Sequence, residues 1–362
     1  MRHALLPFIL LGLSSSALGQ HFEPAGTRAG LLSVLPVYES WSVDAINISQ
    51  LSTVVVLEYP LSRALGVSLR AGESNTGGDV TDVNGFTDTQ FGLWYRVESA
   101  NLLLTVGVNA PTGKRSLTQD EFGTDTLVSK EVFGFRTPRY GQGLNVHPAA
   151  VWAIPLTDQV VIGIGAGFQY MGAYKPLQAY GDYDPGDEWM LSGGVELRLD
   201  EASHLSADVI FSTYGKDKFE GMDIYQAGDK ISIRLGYQRY FDYDELVLLA
   251  RYRVRRDGQI ALANAIVTEL NKANPDMVDI SGRYRHRLSK QFALGFLLRM
   301  RSFQDTGSDL SGLTLLGAGL QPEYEVSPVV HIIGTMEFQK GDLKTDGALT
   351  GWELGVGLNV RF

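Results

Sequence analysis

Cysteine is absent from all 362 residues. That removes disulfide scaffolds, cysteine-ligated zinc, iron–sulfur clusters and thiol nucleophiles together. A basic excess is absent too: 31 Lys and Arg stand against 41 Asp and Glu, a formal charge of −10. This balance argues against nucleic acid as a partner, because phosphate neutralisation needs a basic face. Past the N-terminus there is no apolar run of the roughly eighteen residues that a membrane-spanning helix needs. The 41 glycines carry no triplet period, so a collagen-like chain is excluded. Aromatic residues are plentiful, which sets disorder aside.

The N-terminus reads as a secretory signal. Arg2 supplies the positive charge, residues 4–13 form a short apolar stretch, and Ala17-Leu18-Gly19 places small residues at the cleavage positions. The expectation is a cleaved signal over 1–19 and a single domain over 20–362.

What fills that domain is a period of two. Trp352, Leu354, Val356, Leu358, Val360 and Phe362 alternate with Gly351, Glu353, Gly355, Gly357, Asn359 and Arg361. Val160, Ile162, Ile164, Ala166 and Phe168 alternate with Val161, Gly163, Gly165, Gly167 and Gln169. The stretches 245–255 and 292–301 repeat the pattern, with arginines on the polar side. Successive strand residues point to opposite faces, so each strand has one apolar and one polar or bare side. Connections alternate as well. Short turns are expected at 59–62, 98–101, 156–159, 200–203, 241–245, 288–291 and 326–328. Longer polar loops are expected at 73–84, 111–141, 173–187, 215–228, 256–275, 304–311 and 341–347. Short periplasmic turns and long outer loops are the rhythm of an outer-membrane barrel.

The reading is an all-β fold: a closed antiparallel transmembrane β-barrel. Fifteen strands fit between residue 50 and the C-terminus, and residues 28–42 supply a sixteenth. Fourteen is the alternative if residues 28–49 lie outside the wall. A soluble β-sandwich also alternates. It does not explain the signal, the asymmetric connections and the terminal aromatic together. Hydrocarbon satisfies no backbone group, so a sheet within it must close. Aromatic residues mark both strand ends: Tyr59, Tyr95, Trp152, Tyr324 and Phe362 toward the turns, and Tyr170, Trp189, Phe338 and Trp352 toward the loops.

The terminal Leu358, Val360 and Phe362 resemble the assembly signal of Gram-negative outer-membrane barrels. Two segments, Gly85-Phe86-Thr87-Asp88-Thr89-Gln90-Phe91-Gly92-Leu93-Trp94-Tyr95-Arg96 and Gly107-Val108-Asn109-Ala110-Pro111-Thr112-Gly113-Lys114, resemble the FadL-like group. Within that group they are similar to the outer-membrane proteins of phenol and aromatic degradation, the MetA-pathway transporters. The resemblance implies a place in the cell outer membrane, in contact with its lipid and with the barrel-assembly machinery through the last strand. It also implies passive passage of small molecules, apolar or aromatic ones among them.

Alternation places nine arginines in the lumen: Arg234, Arg251, Arg253, Arg255, Arg283, Arg285, Arg287, Arg299 and Arg301. Lumen acids are Glu58, Asp88, Glu196, Asp208, Glu323, Glu325, Glu337 and Glu353. Arginine stays charged and is costly against lipid, so a one-residue slip of register is penalised. Two readings stand. An arginine wall facing an acidic wall would set a transverse field that selects ions. Alternatively, the same groups form ion-pair ladders that brace the lumen. The 111–141 loop carries Leu127, Val128, Val132, Phe133 and Phe135 and is read as a constriction folded into the mouth, with a surface cap as the alternative. Within 259–270, Ile260, Ala263, Ile266, Val267 and Leu270 share a helical face, so a short helix is expected there.

Catalytic signals are poor. His147 and His331 point inward without a converging serine or aspartate, His286 points outward near a turn, and no histidine pair has metal-ligand spacing. Gly163-Ile164-Gly165-Ala166-Gly167 looks like a dinucleotide loop but lies inside a strand. No cofactor or metal is implied. The expected function is an outer-membrane pore or passive transporter for small-molecule solutes, not an enzyme. A structural barrel with a filled lumen and an outer-membrane hydrolase are the alternatives.

Overall fold

The computed structural model describes residues 30–43, 46–262, 265–269, 272, 274–307, 310–343 and 347–362. The predicted signal over 1–19 lies outside the described residues. Sixteen antiparallel strands close into a ring. In order around it they are β1 (Leu31–Val43), β2 (Ile46–Pro60), β3 (Leu65–Gly78), β5 (Thr89–Val97), β6 (Leu102–Ala110), β7 (Asn145–Pro155), β8 (Val160–Met171) and β10 (Glu188–Arg198). The ring continues through β11 (Ser203–Tyr214), β14 (Lys230–Phe241), β15 (Asp244–Arg255), β18 (Met277–Arg287), β19 (Phe292–Phe303), β20 (Thr314–Ser327), β21 (Val330–Asp342) and β22 (Ala348–Arg361). Closure is direct, because β1 pairs with β2 on one side and with β22 on the other, Leu32 opposite Val360. Residues 31–43 are therefore in the wall, and the fourteen-strand alternative is excluded. Both chain ends meet: the Gly30 amide donates to the Phe362 carbonyl at 2.6 Å.

β4 (Val83–Phe86) is the extra strand, laid on the outer end of β3. Above the ring, β9 (Tyr183–Asp184), β12 (Lys216–Phe219), β13 (Met222–Gln226), β16 (Gln259–Leu262) and β17 (Ala265–Thr268) form a second, five-stranded sheet from the long loops. The helix expected over 259–270 is thus corrected to a hairpin. Ile260, Ile266, Val267 and Thr268 are β-branched, and the open edge of β13 offers unpaired backbone groups, with Tyr225 opposite Ile260. Tertiary pairing overrides the local period.

The expected faces hold. Leu298, Leu316, Trp189 and Val356 are each about 60% exposed and point out. Their chain neighbours point in and touch other lumen groups. The wall is an inside-out sheet with its apolar belt outward, as a bilayer requires.

Candidate functional site: the lumen and its infolded loop

The loop between β6 and β7 enters the barrel. It contains α1 (Gln119–Val128), started by a capping box in which Thr118 and Glu121 satisfy each other's amides. Such a cap contributes about 1 kcal/mol. Lys114 Nζ donates to Glu121 at 2.5 Å, and that bond with the Thr118 amide holds the Glu121 carboxyl below its ordinary value. Burial pushes Asp125, on the same helix, above its ordinary value.

After α1 the chain drops inward and is sewn to the wall. Glu131 reaches Arg253 at 2.5 Å and Arg251 at 3.6 Å on β15. The Glu131 carbonyl accepts from Arg301 on β19 at 3.2 Å. Arg136 pairs with Glu353 on β22, and its amide donates to Glu39 on β1 at 2.9 Å. The buried side-chain amide of Gln50 on β2 binds both the Thr137 amide (3.1 Å) and carbonyl (2.9 Å). Tyr140 donates to the Val83 carbonyl at 2.6 Å beside Thr76 of β3. β3 and β15 are eight places apart in a ring of sixteen, and between residues 131 and 140 the loop meets β15, β19, β22, β1, β2 and β3 in turn, so it is fastened along half of the wall.

Along that half of the wall the mouth is filled. Phe133 and Phe135 pack with Trp41, Ile48, Met277 and Phe303 in one apolar cluster. Phe133 meets the Trp41 ring edge-on at 5.9 Å. Arg301, 3% exposed, lies over the Trp41 and Phe303 rings at 5.7 and 6.0 Å and bonds Gln339 at 2.5 Å. The inward positions of β6 to β8 are small or uncharged, among them Gly107, Ala149, Gly165 and Gly167.

The nine predicted arginines resolve into distinct environments. Arg299 binds Asp279 through two nitrogens, at 2.7 and 3.2 Å. Arg283 pairs with Glu245 at 2.8 Å, and Arg285 with Glu323 at 2.6 Å. Arg234 lies across the β11–β14 pair from Asp208. Arg255 sits over the Tyr214 ring at 5.0 Å, with Lys230 5.5 Å from the same ring. Arg287 is at the turn, bonding the Ser289 and Lys290 carbonyls, and stands apart from the ladder. Of the two arrangements, the observed one is a ladder: acids interleave with the arginines on the same strands. Glu245 and Asp279 share the inward parity of the arginines on β15 and β18. Glu39 likewise has inward parity on β1, opposite Glu353, whereas Glu131 and Arg136 had no such signal, because their roles depend on where the loop lands.

The predicted acids also differ among themselves. Asp88 is no lumen charge. It accepts from the Gly113 amide (2.9 Å), the Gln142 amide (2.7 Å) and the Asn109 side chain (3.0 Å), clamping both ends of the long loop. Glu196 is buried 3.9 Å from His204. Glu58, Glu325 and Glu337 keep inward parity on β2, β20 and β21. Many inward glycines are sockets, not gaps. A Cβ on Gly351 would lie 2.6 Å from the Trp41 ring, and one on Gly66 would lie 2.0 Å from Trp94.

His286 points outward and binds Asp244 at 2.9 Å, and Tyr284 donates to the same carboxylate at 2.7 Å. Among the described residues no serine or threonine hydroxyl completes that pair. No group of three or more His, Asp or Glu able to hold a metal occurs among the described residues. No described helix is long and apolar enough to cross a membrane, which says nothing of a β-barrel.

No protein-family profile matches the chain, and no curated protein sequence matches it. Solved structures do match in shape. CdiB from Acinetobacter baumannii is 9% identical with a TM-score of 0.55, over 93% of this chain and 60% of that one. The chain thus spans about 60% of the length of CdiB. A monoaromatic hydrocarbon channel, CymD, is 11% identical with a TM-score of 0.48, over 93% of this chain and 89% of that one. An outer membrane channel from Pseudomonas putida F1 is 10% identical with a TM-score of 0.41, over 96% and 100%. At these identities the likeness is one of fold.

Proposed function

We propose that this chain is an outer-membrane channel for the passive passage of small solutes, exported to the outer membrane by its N-terminal signal and narrowed by the 111–144 loop. The observation that carries this reading is the loop itself. A closed ring with an apolar exterior and a charged interior holds one long loop folded inside it and ion-paired to its wall. Among the described residues no serine or threonine hydroxyl joins the His286–Asp244 pair to support a hydrolase. For the solute, the resemblance of 85–96 and 107–114 to the FadL-like group supports apolar or aromatic molecules. Leu249 adds to this: it faces the lumen on β15 yet is 45% exposed, an apolar surface presented to the passage. The Phe133 cluster favours a second reading, a filled barrel with a structural role.

Bilayer recording separates the two. The channel reading expects discrete conductance from the refolded chain and a larger conductance after deletion of residues 124–135. A wild-type chain that is silent with every ion, and still silent after the deletion, sinks the channel and leaves the structural barrel.

A further inference from the structure

One rung of the lumen wall carries three acids side by side. Glu337 on β21 stands directly opposite Glu353 on β22, and Glu353 stands directly opposite Glu39 on β1. Directly opposite strand residues are about 5 Å apart, so like charges there repel. Glu39 is 3% exposed and Glu337 9%, so water screens them little. The inward arginines of β19 are turned elsewhere: Arg299 binds Asp279, and Arg301 binds Gln339 and the Glu131 carbonyl.

The cation of this row comes from the infolded loop. Arg136 pairs with Glu353, and its amide donates to Glu39 at 2.9 Å. Thr137 is held by Gln50, which stands opposite Glu39 and continues the rung onto β2. Residues 136–137 therefore lie along the rung as a bound ligand would. The match is incomplete. Glu337 Oε1 and Arg136 Nε are both buried without a hydrogen-bond partner among the described residues, and a buried polar atom left unpaired is costly. A small cavity lined by Glu39, Glu353, Trp41, Phe133 and Gly134 opens at the same place.

The occupant names the chemistry that the row takes. A guanidinium offers its N–H donors in a planar fork that matches carboxylate oxygens in pairs, whereas an ammonium acts as a point charge. Arg136 is such a fork on a tether. A short tether gives its occupant an effective concentration in the millimolar range, so a free guanidinium competes once it is comparably abundant. Where it wins, Arg136 leaves the wall and the loop loses its fastening to β22.

We infer that Glu337, Glu353 and Glu39 form a binding site for guanidinium-bearing solutes, which Arg136 fills until such a solute displaces it. The inference rests on the infolded loop and not on conduction. The probe is N-ethylguanidinium, the end of an arginine side chain, titrated calorimetrically into the refolded chain in detergent micelles. Tetramethylammonium is the control, a cation without N–H donors. Heat-modifiable gel migration verifies that each variant is folded. Arg136→Ala empties the row and is expected to bind the probe about tenfold more tightly than the wild type. Adding Glu353→Gln to that variant is expected to remove the binding, and tetramethylammonium is expected to give none. In the wild type, which needs no substitution, a saturating level of the probe is expected to speed protease cleavage within 129–136, and tetramethylammonium to leave it unchanged. Equal affinity in the wild type and Arg136→Ala, binding that survives Glu353→Gln, or wild-type cleavage indifferent to the probe overturns the inference and leaves Arg136 a brace. A chain that binds the probe in the expected pattern yet never conducts would refute the channel and keep the site.

Discussion

Gly134 shows how a single residue seats the constriction. Its φ of +67° is open to glycine and strained for a branched side chain, and a Cβ there would stand 2.8 Å from Arg301 Nη1. Arg301 is the post on which the loop rests, held between two aromatic rings and bonded to the Glu131 carbonyl. Gly134→Val therefore combines backbone strain of about 1–3 kcal/mol with a displaced guanidinium. It is expected to raise the mean conductance and to speed protease cleavage within 129–136. Gly123→Ala in α1, where a Cβ meets nothing within 4 Å, is expected to leave both unchanged. At this scale the sequence was informative about direction and silent about partners. Parity turned Arg299 and Arg301 inward, because lipid forbids the other face. Whether Asp88 meets solvent or three amides depends on chain more than twenty residues away, and no local period encodes that.

Among elements, the barrel strands were legible because side-chain alternation is imposed by lipid on one face and by the lumen on the other. The outer loops feel neither. Ile260, Ile266 and Val267 fit a helical face and a strand equally, and the free edge of β13 decided between them. The loop helix α1 was also missed, since residues 119–128 carry no apolar stripe and the helix is held by its capping box. Two carboxylates give α1 opposite responses to acid. Hydrogen bonds from Lys114 and the Thr118 amide keep the Glu121 pKa below its unfolded value, so that stabilisation is present above the ordinary carboxylate range and is lost as pH falls through the folded pKa. Burial raises Asp125, so its charge costs stability at neutral pH, and the cost lifts as pH falls through the raised folded pKa. Amide exchange over 119–128 as a function of pH should separate them. Asp125→Asn is expected to slow exchange at neutral pH and remove the gain on acidification. Glu121→Gln is expected to speed exchange at neutral pH and remove the loss. An unchanged pH profile in both variants would show that neither carboxylate governs the helix.

For the whole molecule, closure and strand number followed from counting connections, whereas parity left the lumen open between opposed charged walls and ion-pair ladders. The folded ring intercalates the charges, so that Arg283, Arg285 and Arg299 each stand within 3 Å of a carboxylate. Interleaved pairs cancel at a distance, and the passage should discriminate weakly between small anions and cations until a pair is broken. Reversal potentials in a salt gradient test this as a cycle. Arg299→Gln leaves Asp279 with only its longer contact to Arg251, at 3.8 Å, and is expected to shift selectivity toward cations. Asp279→Asn leaves Arg299 uncompensated and is expected to shift it toward anions. The double variant should return close to the starting value, because what each single variant exposes is the partner's charge. Neutralising Arg253, Arg285 and Arg299 together should give the largest cation preference, since Glu131, Glu323 and Asp279 all lose a partner. If instead the double variant keeps the full shift of Arg299→Gln, the pair does not act as a neutral unit, and the arginine ladder sets a net field of its own across the passage.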